Sequence, residues 1–195
     1  MPWDDMDTAT AYARGLLHGE RVGLRVTTED DLDRLAEWWV DDELAVFQQL
    51  SIRPRGRDAI KEIMRGWITN DTGSGVGFSI CDESGALLGH ATLFGATLPL
   101  RLATFAIMLG PNATGHGYGS EATRMLIRYG FEELGLNKIE LHVWAYNTRA
   151  IRAYEKAGFV REGVRRAAAF HEGVFHDEVF MGIVAADWFA AQSSR

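Results

Sequence analysis

Three stretches of this chain carry residue types and spacings that can do chemistry. The first is Gly110-Pro-Asn-Ala-Thr-Gly-His-Gly-Tyr-Gly-Ser-Glu-Ala122, where Gly115, Gly117 and Gly119 alternate with other residues. Glycine reaches backbone angles closed to other residues and leaves neighbouring amide N–H groups uncovered. A helix opening here adds unpaired N–H groups and a partial positive charge at its first turn. Together these make an anion site that suits a pyrophosphate, built from Thr114, Gly115, His116, Gly117, Tyr118, Gly119 and Ser120. The same glycines would also serve a plain tight turn. In the second stretch Asn147 and Tyr154 stand seven positions apart, two helical turns, so on a helix both lie on one face. The third runs from Glu37-Trp38-Trp39 through Asp41-Asp42-Glu43 to Phe47 and mixes acids with large aromatics. Its acids read as a solvated helix start sooner than as an amine-binding cluster.

The elements that must position these residues can be read from periodicity. Residues 1–19 read as a loosely attached leader with a short helix over Ala9–Leu17, and Arg21–Val26 as a first strand. Thr28, with Asp31 three residues on, predicts a capped helix through Leu32, Leu35, Ala36 and Trp39. A short helix is expected over Asp42–Phe47, a loop over Ser51–Arg57, and a helix carrying Ile60, Ile63, Met64, Trp67 and Ile68. Val76–Cys81 and Ala86–Phe94 are apolar runs joined by Asp82-Glu83-Ser84-Gly85, a hairpin signal, and Leu102–Leu109 is a third such run. A helix from Gly117 to Leu134 closes at Gly135; Lys138–Trp144 is a strand; Thr148–Ala157 is a helix ended by Gly158. Strands Phe159–Arg166 and Phe175–Val184 flank a turn at His171-Glu172-Gly173. This order predicts a single-domain mixed α/β fold over residues 20–188, with helices on both faces of the sheet and a tail at 189–195.

Composition narrows the function classes. A net charge of −7 argues against a nucleic-acid binder and mildly favours a cationic substrate such as an amine. No apolar run approaches the ~20 residues of a membrane span. The acidic start MPWDDMDTAT is unlike a secretory signal. Cys81 stands alone, which removes intrachain disulfides and makes a cysteine-based metal site unexpected. The cytosol is the expected compartment, with no metal, no membrane and no nucleic-acid partner; homodimerisation is left open. Two other phosphate motifs drop out. No Gly-Lys-Ser/Thr follows the glycines, and they do not follow the first strand of a parallel unit as a dinucleotide fold requires.

Thr114-x-x-Gly117-x-Gly119 resembles the acetyl-CoA signature of the GNAT superfamily of N-acetyltransferases, which reads Arg or Gln, two residues, Gly, one residue, then Gly or Ala. About 30 residues later, Asn147-Thr-Arg-Ala150-Ile-Arg-Ala-Tyr154-Glu-Lys-Ala-Gly158-Phe159 is similar to that family's second signature at every named position. The ending, from Glu162 to Met181, is similar to the branch holding ribosomal-protein N-terminal and spermidine acetyltransferases. The one departure is Thr114, where the signature has a side chain that helps hold the phosphates; His116 fills a position often basic in relatives.

The resemblance implies a central, mostly antiparallel twisted sheet with one splayed parallel strand pair. It implies acetyl-CoA as co-substrate, its pantetheine arm laid along Ile107 and Leu109 as an added strand, and an amine entering from the opposite side. A backbone N–H near Met108 or Leu109 would hold the oxyanion. Tyr154 would protonate or hydrogen-bond the departing thiolate. Asn147 would cap its helix, offer its amide to the coenzyme, or both. The base is open among Glu37, Glu43, His142 and a water chain. Trp38, Trp39, Glu43 and Phe47 are candidates for the acceptor wall. The acceptor is expected to be a protein N-terminus, a polyamine or an amine-bearing small molecule. A coenzyme-binding sensor of the same fold without turnover is the rival reading.

Overall fold

The computed structural model describes residues 3, 5–49, 52–68 and 70–193. Ser51, part of the expected loop, and Met1, Pro2, Asp4, Ser194 and Arg195 of the expected leader and tail lie outside them. The elements run α1 (Met6–Leu17), β1 (Gly23–Arg25), α2 (Glu29–Trp39), α3 (Ala45–Gln48), α4 (Arg57–Ile68), β2 (Val76–Cys81), β3 (Leu87–Thr97), β4 (Leu102–Leu109), α5 (Tyr118–Glu132), β5 (Lys138–Trp144), α6 (Thr148–Ala157), β6 (Val160–His171), β7 (Val174–Val184) and α7 (Ala185–Ser193).

Seven strands form one sheet in the order β1-β2-β3-β4-β5-β7-β6. Every neighbouring pair is antiparallel except β4 and β5. That parallel pair is bonded only at Leu102↔Lys138, Ala103↔Ile139 and Thr104↔Glu140. From Phe105 and Leu141 onward the two strands part, which is the splayed pair the sequence resemblance implied.

Alternation along the strands sends side chains to two separate cores. On one face Ile80, Leu93, Leu126, Ile127, Ile139 and Met181 are fully buried beneath α5 and α6. On the other, Leu32, Leu35, Ile60, Met64 and Met108 pack α2 and α4 against the sheet. α2 starts where the sequence predicts. Thr28 Oγ1 accepts from Asp31 N–H, the Asp31 carboxylate accepts from Thr28 N–H, and both capping partners are present. Burial by itself would raise the Asp31 pKa, but hydrogen bonds from Arg25, Thr28 and Ser79 outweigh it and bring the group down to about 2.

Several elements differ from the expectation. α1 begins at Met6 because the Asp5 carboxylate caps Thr8 N–H at 2.8 Å. The helix lies on α5, with Tyr12 donating to Glu133 and Arg128 donating to Gly15 O. The short helix expected at Asp42–Phe47 forms as Ala45–Gln48, since Asp41 Oδ1 takes the N–H groups of Glu43 and Leu44 as a turn. β6 and β7 extend to the tight turn at Glu172-Gly173, both with positive φ. α7 was not anticipated; Trp188 and Phe189 stack on Phe131 of α5. Among the described residues no helix is long and apolar enough to cross a membrane.

Candidate active site

The parting of β4 from β5 opens a cavity of about 710 Å³ that passes between the strands and reaches both helical layers. On the α5–α6 side its wall is the turn Ala113–Gly115 with Gly117, Gly119 and Ser120, and one face of α6. On the α2–α4 side the wall is aromatic and aliphatic.

The Gly-rich turn is held open from behind. Gly115 and Gly117 have φ near +85°, a conformation L side chains rarely adopt. A Cβ on Gly115 would meet nothing, so the backbone there faces free space. Gly117 is the N-cap of α5 and no side chain caps that end, which leaves the first-turn N–H groups for a ligand. Arg21 buckles the turn to the helix. Its Nη1 donates to His116 O at 2.9 Å, and its backbone N–H and Nε donate to the buried Glu121 carboxylate. Burial works to raise the Glu121 pKa, but the N–H groups of Arg21 and Glu20 and the Arg21 guanidinium prevail and hold it below its usual value. The lining is completed by Arg149, Arg152 and Lys156 on α6, three cations at helical spacing. Open amides at a helix N-terminus beside a stripe of cations fit the diphosphate and ribose phosphate of a coenzyme A molecule.

Along β4, Gly110 N–H donates to Leu88 O at 2.9 Å. Alternation sends the Met108 N–H toward β3 as well, and leaves those of Ile107 and Leu109 facing the gap. Leu109 rather than Met108 is thus the donor available to an oxyanion. Asn147 caps α6 through Oδ1, which accepts from Ala150 N–H at 3.2 Å, and its amide nitrogen stays free at the cavity wall. Tyr154 reaches the cavity with its ring edge-on to Phe105 and Phe159, both centroids 6.0 Å away. Burial alone pushes its phenol up to about 12.

Of the residues singled out from sequence, Ile107, Leu109, Thr114, Gly115, Gly117, Gly119, Ser120, Asn147, Tyr154 and Phe47 line this one cavity. His116 and Tyr118 do not; their rings pair 5.7 Å apart, Tyr118 packs against the main core, and His116 contributes only its carbonyl to Arg21. Thr114 Oγ1 turns back to Pro111 O. Trp38 covers Gly110, where a Cβ would come within 2.7 Å of its ring, while Trp39 reaches the cavity. Glu43 is exposed outside the lining, and Glu37 is exposed and paired with Arg34 and Arg57. His142 is the base candidate that lines the cavity. Its Nδ1 lies 4.0 Å from the buried carboxylate of Glu178, which is itself paired with Arg165. Sequence reading missed Arg21, Glu178, His90 and the α6 cations. Only the last had a signal, their three- and four-residue spacing.

Comparison with known proteins shows the family and the fold. The pattern of the acetyltransferase (GNAT) domain family matches residues 21–160. The chain is 33% identical over 159 residues to an uncharacterised N-acetyltransferase, p20, of Bacillus licheniformis, covering 77% of this chain and 85% of that one. It is 33% identical over 100 residues to the spermidine N(1)-acetyltransferase of Vibrio cholerae, covering 51% and 58%. In fold it matches a crystal structure of spermidine N-acetyltransferase from Vibrio cholerae in complex with CoA and spermine, with a TM-score of 0.78 over 88% of this chain and 99% of that chain at 24% identity. The chain belongs to the GNAT family of acetyltransferases and is an N-acetyltransferase.

Proposed function

We propose that this N-acetyltransferase moves an acetyl group from acetyl-CoA to a primary amine by direct attack, with Tyr154 and His142 on opposite sides of the reacting centre. The observation that carries the reading is the cavity between β4 and β5. It joins an anion cradle on one face of the sheet to an apolar chamber on the other. Bound acetyl-CoA supplies a thioester whose carbonyl carbon is the electrophile.

The N–H groups of Gly117, Tyr118 and Gly119, with Arg149, Arg152 and Lys156, hold the phosphates. The open N–H groups of Ile107 and Leu109 fix the pantetheine arm, and Leu109 N–H faces the oxygen on which charge develops. His142, its Nδ1 4.0 Å from the Glu178 carboxylate, takes the proton the amine must lose before its lone pair can attack. As the nitrogen–carbon bond forms the nitrogen sheds its second proton to water, the carbon–sulfur bond breaks, and the sulfur leaves as a thiolate. The Tyr154 hydroxyl donates a hydrogen bond to it. A phenol held at about 12 is a weaker acid than a thiol of ordinary pKa ~8.5, so Tyr154 stabilises the charge and keeps its proton.

The acceptor belongs to the primary amines, whether protein N-terminus, polyamine or small molecule; the relatives named for spermidine put a polyamine within that class. Release of free thiol on mixing the protein with acetyl-CoA and an amine panel tests the reading. An amine-dependent thiol signal is expected. Saturating acetyl-CoA, at ~100 times its dissociation constant, should stabilise the fold by about 2.7 kcal/mol. Stabilisation with no thiol release from any amine would leave a coenzyme-binding protein without turnover.

A further inference from the structure

We infer that the acceptor is a monoamine carried on an apolar or aromatic body, and not a polyamine. The inference rests on the transferase reading above and narrows its substrate class. The chamber that receives the amine is walled by Leu35, Trp39, Leu44, Phe47, Met64 and Trp67. Trp39 and Trp67 meet edge to face at 5.1 Å and present a rigid aromatic corner. Among the described residues that line the whole cavity there is no Asp or Glu. Leu50, Ser51 and Thr69, which follow or precede described segments in sequence, carry no carboxylate either.

Most acids of this half of the molecule are engaged elsewhere, and Asp42 and Glu43 are exposed outside the lining. Asp33 pairs with Lys61 and Arg57, Glu37 with Arg57, and Glu29 with Arg65, all along the outer faces of α2 and α4. Asp31 is buried against Arg25. Glu178 is taken by Arg165 and meets the cavity only through His142. One ammonium can enter this chamber, because it delivers its proton to His142 and reacts as a neutral amine. A second or third ammonium on the same molecule would lose water with no counter-ion to replace it. The acidic net charge of the chain therefore does not describe the chamber.

The favoured acceptor is thus an aryl- or alkylamine without a second charge.

The test is a comparison of kcat/KM for tryptamine, tyramine, 2-phenylethylamine, spermidine and a short peptide with a free Ser-Ala N-terminus. The aromatic amines are expected to exceed spermidine by about 100-fold or more, the penalty of a stranded second charge. Phe47→Ala should raise their KM by about tenfold and leave the KM for acetyl-CoA unmoved. Leu44→Glu, which places a carboxylate in the chamber, should narrow the gap by raising spermidine turnover. Spermidine or the peptide outrunning every aromatic amine overturns the inference, and the panel on the unaltered protein decides this whether or not Leu44→Glu folds. Binding of acetyl-CoA with acetylation of no aromatic amine also overturns it and leaves the transferase reading intact. Failure of acetyl-CoA to bind removes the transferase reading and this inference with it.

Discussion

In the proposed reaction Tyr154 and His142 divide the charge movements between them, and their removal should separate turnover from coenzyme affinity. Tyr154→Phe keeps the ring against Phe105 and Phe159 and deletes only the hydroxyl. That hydroxyl interacts more strongly with a thiolate than with a thioester, so its loss should lower kcat by roughly 10²–10³-fold, the scale of one donor to a developing charge. The dissociation constant for acetyl-CoA should hold, since in the proposed complex the phosphates are bound by the Gly-rich turn and the α6 cations and not by this hydroxyl. His142→Gln should show the same split in single-turnover and binding measurements. A collapse of coenzyme affinity in Tyr154→Phe with kcat preserved would make the hydroxyl a binding group. Tyr154 and Asn147 were legible in the sequence because seven residues on a helix put them on one face. Glu178 was not, since it reaches His142 across a strand pairing that no local pattern encodes. Glu37 and Glu43 were candidates on type alone; the geometry turns both toward solvent.

The element proposed to bind the coenzyme is a turn and two helix faces acting together. Gly117→Val is expected to abolish acetyl-CoA binding, as measured by calorimetry, because a side chain there must adopt φ near +83° and also pushes against the Arg21 guanidinium 3.0 Å away. Circular dichroism should show the fold retained, and normal binding by a folded variant would contradict the cradle. Arg152→Gln removes the middle cation of the α6 stripe. It should weaken acetyl-CoA by about tenfold, the lower end for a charge-assisted contact because the residue is exposed. The deficit should shrink as salt rises, since exposed charges are screened. With Thr114 turned back to Pro111, these cations would in the proposed complex stand in for the side chain that the usual signature supplies at that position. β4, β5 and α6 could be read to the residue because apolar alternation, Asn147 and Gly158 mark their limits. α7 could not, being alanine-rich with only Trp188 and Phe189 to anchor it. β6 ran longer than expected because its outward Arg and Ala residues show no alternation of polarity.

Over the whole molecule, the sheet order puts the one parallel contact at its centre, and the parting of those two strands makes a passage through an otherwise closed core. The order of elements and the two helical layers followed from the sequence; the emptiness of the α2–α4 chamber did not, because aromatic residues at helical spacing read the same whether they fill a core or wall a cavity. His90 stands at that wall, 5% exposed, and burial brings its pKa down to about 4 despite the opposing pull of Asp31. An unfolded histidine titrates near 6.5, so between pH 6.5 and 4 the unfolded chain binds a proton that the folded one refuses. The His90 contribution is therefore complete above pH 6.5 and lost progressively as pH falls toward 4, by about 3 kcal/mol in all. Asp31 works in the same direction only below this window, as pH falls from the ordinary carboxyl value of 3.8 toward its folded value of about 2. Urea unfolding at pH 7.0 and 4.5 should show the wild-type protein losing clearly more stability than His90→Gln, whose side chain cannot titrate. Equal losses in the two proteins would mean that the imidazole reaches water through the cavity and takes up its proton in the folded state.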